Sequence, residues 1–282
     1  FKRVPYDPEF ALLTSGDIKM NGSISVTGST PSIHTNSNLT SIGNADESEG
    51  AVTASGTIAG SGNLTGGGST GTGNAPPVDT PPLTTAYYRS IATSIVRDTA
   101  DSPILDGTCE RVPAAGSDCV EICNSGGSYT VSSPASGSHA ICKKTGSNTN
   151  AGGVFYFDGP VEVDTTDAWA AVVLAAGTVT LKTGTIITGS SDLKGVGLVS
   201  DADFFFRGSV TIGSLFDQLG MYSVGSVDFG GGGNKDIYGP IITNGTIGVN
   251  SLSGNITLIY DNTSPPTNGP LIGKLISWSQ VE

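Results

Sequence analysis

A chain of 282 residues is long enough for one large domain or two ordinary ones, and its 13 basic and 25 acidic side chains give a formal charge of −12. That balance argues against a general binder of nucleic acid or anionic membrane, because a phosphate backbone demands clustered Lys and Arg and the longest basic runs are Lys2-Arg3 and Lys143-Lys144. No apolar run approaches the ~20 residues that span a bilayer, so no membrane contact is expected of these residues; with 41 glycines and 13% charged residues, the surface must come from short hydroxyl and amide side chains on a backbone that turns often.

Residues 1–10, FKRVPYDPEF, are basic and then proline-punctuated, and read as an entry segment. A ten-residue pattern then recurs at 11–20 (ALLTSGDIKM), 32–41 (SIHTNSNLTS) and 51–60 (AVTASGTIAG), and again at 154–163, 172–181 (VVLAAGTVTL), 197–206, 220–229 and 240–249. Its second position is always apolar, from Leu12 to Ile241, and its sixth is always small, from Gly16 to Gly245. The eighth position is Ile18, Leu39, Ile58, Val161, Val179, Phe204, Val227 and Ile247, with a mostly polar or small residue after it. That alternation is the mark of a half-buried strand. A motif returning about every 20 residues signals a stacked repeat, so the fold expected is all-β: a β-solenoid, or β-helix, of eight coils. Each coil would be strand, small-residue corner, strand and polar return. At ~4.8 Å per coil the rod would be about 38 Å long. A hairpin-based sandwich is the competing architecture, but it has no reason to return inward residues to one position eight times.

Between the two groups of repeats, residues 61–82 form a low-complexity bridge that changes from Gly-rich to Pro-rich. A helix is predicted over 83–97, capped by Thr80 with Pro81 after it, and with Leu83, Tyr87, Ile91 and Ile95 on one face laid against the solenoid. Residues 99–150 break the pattern and carry all the cysteines: Cys109, Cys119, Cys123 and Cys142. The expected organisation is therefore 1–60, entry segment and first three coils; 61–98, bridge and helix; 99–150, cysteine insert; and 151–282, remaining coils and a C-terminal cap. In that cap, 255–261 reads as a last strand and Trp278 as a plug on the core.

An even number of cysteines confined to one loop-rich insert points to two disulfides in an exported protein. Of the three pairings, Cys109–Cys119 with Cys123–Cys142 is the simplest, and zinc held by these thiols and His139 is the alternative. For an enzyme, the best constellation is Asp192, Lys194, Asp201, Asp203 and Arg207, with Asp201 and Asp203 spaced to share a strand face. Asp201, however, stands at the fifth position, as do Ser15, Asn36, Asp158 and Asn244, which favours a corner role. Gly67–Gly71 spells GxSxG without the strand and helix of a nucleophile elbow, and Gly230–Gly233 lacks the ending of a phosphate loop. His34 aligns with Thr53, Leu174 and Ile242, positions of packing or surface. Asp158, Asp164, Asp167 and Asp261 are candidate calcium ligands, with solvated carboxylates the simpler reading. No catalytic residue, resident metal or other cofactor is expected.

The phrases FALLTSGDIKMNGSISVTGS, SIHTNSNLT, PPVDTPPL leading into a helix, GGVFYFDGPVEV and GPIITNGTIGVNSLSGNITLIYD, in that order, resemble the solenoid region of PilX-type, minor-pilin-like type IV pilus assembly proteins. The resemblance covers most of 9–261 outside the insert. It implies export through pilus machinery, an extracellular β-rich domain and partners among pilus subunits or a surface or host ligand. It also implies an N-terminal apolar helix. Phe1 is the usual first residue of a mature pilin, but Lys2, Arg3 and Pro5 do not continue it, which places the start of this sequence just after that helix. A non-enzymatic structural and adhesion module follows. The alternatives are a DNA-binding pilin-like competence protein, with Lys143 and Lys144 in a local basic site beside Asp201 and Asp203 as a second surface candidate, and a polysaccharide lyase or glycoside hydrolase.

Overall fold

The computed structural model describes residues 2–5, 8–28, 32–42, 46–60, 64–65, 71–96, 121–125, 127–132, 152–249, 255–261 and 271–274. They are mainly strand, in three parallel sheets of nine, ten and eight strands; a short hairpin is the antiparallel part of the second sheet, and Lys2–Pro5 pairs antiparallel with Leu271–Lys274. The small sixth residue of each repeat lets the chain turn between two strands. In the repeat at 172–181 these are Ala171–Ala175 in the first sheet and Val179–Lys182 in the second. What was expected as a polar return is a third strand, Thr185–Ile187, and every repeat has its counterpart, from Ala168–Trp169 to Asn255–Ile259. Trp169, Ile187, Ile212, Ile237 and Leu258 turn inward from these third strands and are buried.

Three inward faces meet in one apolar cluster that contains the second-position and eighth-position residues. Ile18, Leu39, Val161, Val179, Phe204, Val227 and Ile247 are buried, while Ile58, in the terminal repeat, is partly buried. Aromatic rings reinforce this core: Phe206 stacks on Phe229 at 4.6 Å between centroids, and Phe155 tilts against Trp169 at 5.1 Å.

The order of repeats in space differs from their order in the chain. In the first sheet the strands run 153–157, 171–175, 196–200, 220–223, 241–243, and only then 12–14, 33–35 and 52–54. The first repeat is thus seated on the last, with Leu12 opposite Ile241, Ile18 opposite Ile247 and Ile24 opposite Ile256. Having finished the third repeat at one end, the chain must travel the length of the stack to begin the fourth at the other. Residues 71–96 make that journey as a strap. Thr72 bridges Thr53 at one end, and Ser94–Val96 pairs with Phe155–Phe157 at the other.

The helix expected over 83–97 is a single turn, Ala86–Arg89. Pro81 and Pro82 hold the preceding residues extended, and the chain enters a strand at Ser94. One turn cannot present residues at four-residue intervals, so Tyr88 is buried whereas Tyr87 and Ile91 are each 41% exposed. The insert is also less detached than its composition suggests. Glu121–Ser125 and Ser128–Ser132 form a hairpin whose second strand adds parallel to Val161–Asp164, with Ile122, Tyr129 and Val131 buried in the main core. Tyr129 packs on Phe157 at 5.4 Å between ring centroids. Cys109, Cys119, Cys142, His139, Lys143, Lys144 and Trp278 lie outside the described residues, and of Cys123 only the backbone is described.

Candidate functional site

The corner between the first and second sheets carries Asp158, Asp201 and Asp203 of the acidic residues singled out in the sequence. Stacked corners leave backbone N–H groups pointing along the stack at the next corner, ~4.8 Å away, and seventh-position side chains accept from several of them. Asp203 Oδ1 accepts from Ser226 N at 2.6 Å, and Ser226 Oγ accepts from Thr246 N at 3.1 Å. Farther along, Asp17 Oδ1 accepts from Ser37 Oγ at 2.7 Å and Asn38 N at 3.2 Å, and Asn38 Oδ1 accepts from Thr57 N at 3.0 Å. The Ser37 hydroxyl, then the Asn38 amide, hold the Asp17 carboxyl below its usual range.

A second ladder runs beside it from the fourth position, which the sequence reading did not single out. Thr35 Oγ1 donates to Gly16 O at 2.5 Å, Ser200 Oγ to Gly177 O at 2.8 Å and Ser223 Oγ to Ala202 O at 2.5 Å. Thr14 and Thr243 donate in the same way to Gly245 O and Gly225 O. Every one of these bonds reaches the adjacent repeat in the same direction, and Thr14 to Gly245 crosses the junction between the first repeat and the last. The recurring Thr or Ser two residues before the small corner residue was the available signal.

Three fifth-position side chains, Ser15, Asn36 and Asp201, clasp the strap. Asn36 holds Val78 through both Nδ2 to O and N to Oδ1, each 2.7 Å; Ser15 Oγ and Thr80 Oγ1 are 3.3 Å apart; and Asp201 Oδ1 accepts from Thr85 N at 2.7 Å while Oδ2 accepts from Thr85 Oγ1. From Asn36 to Asp201 is four strand spacings, about 19 Å, and the seven residue steps from Val78 to Thr85 cover about 22 Å in extended proline-rich geometry. Beneath the strap, third-position residues Leu13, Tyr156, Leu174, Val199, Tyr222 and Ile242 form a second apolar cluster with Leu83 and Tyr88. Arg89 lies over the Tyr156 ring at 5.1 Å. His34 sits under the same edge, buried, its Nδ1 2.7 Å from Thr53 Oγ1 and its Nε2 2.9 Å from Asn36 Oδ1.

Asp201→Ala is expected to loosen the strap without unfolding the stack. It removes two hydrogen bonds to a charged acceptor, about 1–3 kcal/mol each. Trypsin should cut at the exposed Arg89 faster in this variant while the far-ultraviolet β signal stays unchanged.

The proposed acidic pair therefore splits: Asp201 points out to the strap, and Asp203 lies within the corner ladder. Arg207 joins neither. Its Nη1 pairs with Asp228 Oδ2 at 3.1 Å on the outer face of the second sheet, and its guanidinium lies 4.6 Å from the Phe205 ring centroid. Lys182 pairs with Glu162 at 3.1 Å on the same face. Lys194 and Asp192 lie at the corner before Val196, where burial raises the Asp217 carboxyl against the pull of Lys194. Of the candidate calcium ligands, Asp158 accepts from Tyr129 Oη, Asp164 and Asp167 are exposed, and the Asp261 backbone pairs with the Gln218 side chain. No three His, Cys, Asp or Glu side chains converge as metal ligands among the described residues. Among the same residues, no helix is long and apolar enough to cross a membrane.

No family model and no curated protein matches the chain. Among solved structures it is similar to an ice binding protein from an Antarctic biological consortium, at 13% identity and a TM-score of 0.30, over 89% of this chain and 87% of that one. It is similar also to the competence-associated pilin ComZ from Thermus thermophilus, at 12% identity and a TM-score of 0.35, over 98% of this chain and 76% of that one. Likenesses of this size carry no argument about function.

Proposed function

We propose that the three parallel sheets are the faces of a β-solenoid of eight coils, and that the chain is an extracellular, non-enzymatic structural and adhesion module of a type IV pilus or pilin-like assembly. The observation that carries this reading is the employment of the candidate catalytic side chains in holding the scaffold together. Asp201 fastens the strap, Asp203 bridges two corners, and Arg207 is tied to Asp228. A hydroxyl ladder across six of the eight repeats and a strap along the stack suit a rigid spacer, and a rigid spacer leaves recognition to the parts of the chain outside its repeat. Here that part is the 99–150 segment, with its proposed disulfides, anchored to one end of the stack by the 121–132 hairpin.

Partners on this reading are pilus subunits and a surface or host ligand. Duplex DNA is the alternative, with Lys143 and Lys144 as the contact. Among the described cations, however, Lys182 and Arg207 are ion-paired and Lys235 is buried, while the whole chain carries −12. The test keeps the hairpin, because removing it would strip Val161 and Phe157 of their cover. Residues 100–118 and 135–150 are replaced by short linkers, and the variants are compared with the full chain for filament assembly and attachment in cells. Loss of attachment or of assembly by a folded variant is the expected result. Normal attachment together with normal filaments would overturn the proposal. Salt-sensitive duplex binding that disappears in Lys143→Glu/Lys144→Glu would establish the competence alternative in its place.

A further inference from the structure

The second and third sheets are joined by tight corners: Lys182 to Thr185 and Arg207 to Val210 each turn through two residues, whereas Gly230 to Lys235 takes four. The longer corner is folded around a buried cation. Lys235 is 1% exposed, and its Nζ donates to Gly231 O and Gly233 O, each at 3.1 Å. In a trans peptide the C=O of one residue and the N–H of the next point in opposite directions. With both carbonyls drawn to the ammonium, the N–H groups of Gly232 and Asn234 face away from it. Both residues are exposed, and neither N–H forms a hydrogen bond among the described residues. Gly231 (φ +70°) and Gly233 (φ +97°) alternate with Gly232, which lacks a positive φ. Such alternation gathers successive N–H groups into an anion-holding concavity.

Charge reinforces the geometry. The Arg207 guanidinium lies across Gly230, where any Cβ would overlap it, and its side chain is 41% exposed. Arg207 and the buried Lys235 share Asp228 as the carboxylate that acts on both. Arg207 and Lys235 against Asp228 leave one positive charge at the corner itself, ahead of Asp236 on the outer face of the strand that follows, on a chain of strongly negative net charge.

We infer that the 230–235 corner binds a tetrahedral oxyanion, a sulfate or phosphate group, free or borne on a polysaccharide. The N–H groups of Gly232 and Asn234 hold its oxygens, Arg207 supplies the exposed charge, and Lys235 fixes the loop from behind. Asp228 competes with the ligand for Arg207. The full chain, labelled with nitrogen-15, would be titrated with sodium sulfate and with sodium phosphate, against sodium chloride at equal ionic strength. Saturable shifts confined to the Gly232, Gly233 and Asn234 amides are expected from the oxyanions. Arg207→Gln should weaken the response about tenfold, and Asp228→Asn should strengthen it about threefold, since both lie on the outer sheet face. Dextran sulfate acting on the same amides at lower sulfate concentration marks a polymer-borne ligand, and action at equal concentration marks the free ion; either supports the site. Shifts that chloride reproduces, or a sulfate response indifferent to both substitutions, would overturn it.

Discussion

Val179→Asp is expected to unfold the chain, while Asp at the adjacent Thr180 is expected to leave it folded. Val179 is fully buried between Val161 and Phe204, its register neighbours in the second sheet. The substitution forfeits roughly 1.5–3 kcal/mol of apolar burial. It also places a carboxylate among apolar side chains with nothing to pair it, a further cost of several kcal/mol. Against a net stability of about 5–15 kcal/mol, that is enough to lose the fold at modest temperature. Thr180 is on the opposite, half-exposed face of the same strand. Thermal melts of the two variants read the difference directly, and similar melting temperatures would show that the eighth position does not face the core.

Gly239→Ala is the second large effect. Gly239 turns the chain from the third strand of one repeat to Pro240 at the start of the next, at φ +131°, a conformation L residues rarely adopt. A Cβ there would also press on the Leu219 backbone, 2.7 Å from its carbonyl carbon. Strain and overlap together are expected to cost about 2–6 kcal/mol. Because Leu219 N donates to Tyr238 O across this corner, the neighbouring repeat cannot yield without losing a ladder bond. A denaturant midpoint close to that of the unsubstituted chain would show that the corner relaxes.

Much of this architecture was legible because stacking gives equivalent positions equivalent surroundings. Val52, Val173 and Ile241 meet the same core face, and Gly16, Gly177 and Gly245 the same corner. Of the third strands only 255–261 was read as one, and its recurrence escaped notice because the distance from the pattern drifts: Ser23 begins 12 residues after Ala11, whereas Asn255 begins 15 after Pro240. The seating of Leu12 on Ile241 was not legible either, since one exposed parallel edge accepts any compatible repeat. The four-residue spacing of Leu83, Tyr87, Ile91 and Ile95 read as a helix, yet it belongs to a strap whose buried residues answer to the sheet beneath. For the candidate site, Asp201 at a corner followed from its alignment with Asn36. Its hold on Thr85, 116 residues away in sequence, required the strap's course.

The continuity of the stack depends on the junction at which the first repeat seats on the last. Ser25 and Thr257 are register partners there, both half-exposed, on parallel strands whose Cα separation of about 4.8 Å lies within disulfide range. Oxidation of the Ser25→Cys/Thr257→Cys variant, followed by peptide mapping, should yield a 25–257 cross-link. The control pair Thr211→Cys/Asp236→Cys joins repeats adjacent in both sequence and space and should cross-link equally well. Ready formation of the control bond with no 25–257 bond would place the first three repeats elsewhere and contradict the continuous stack.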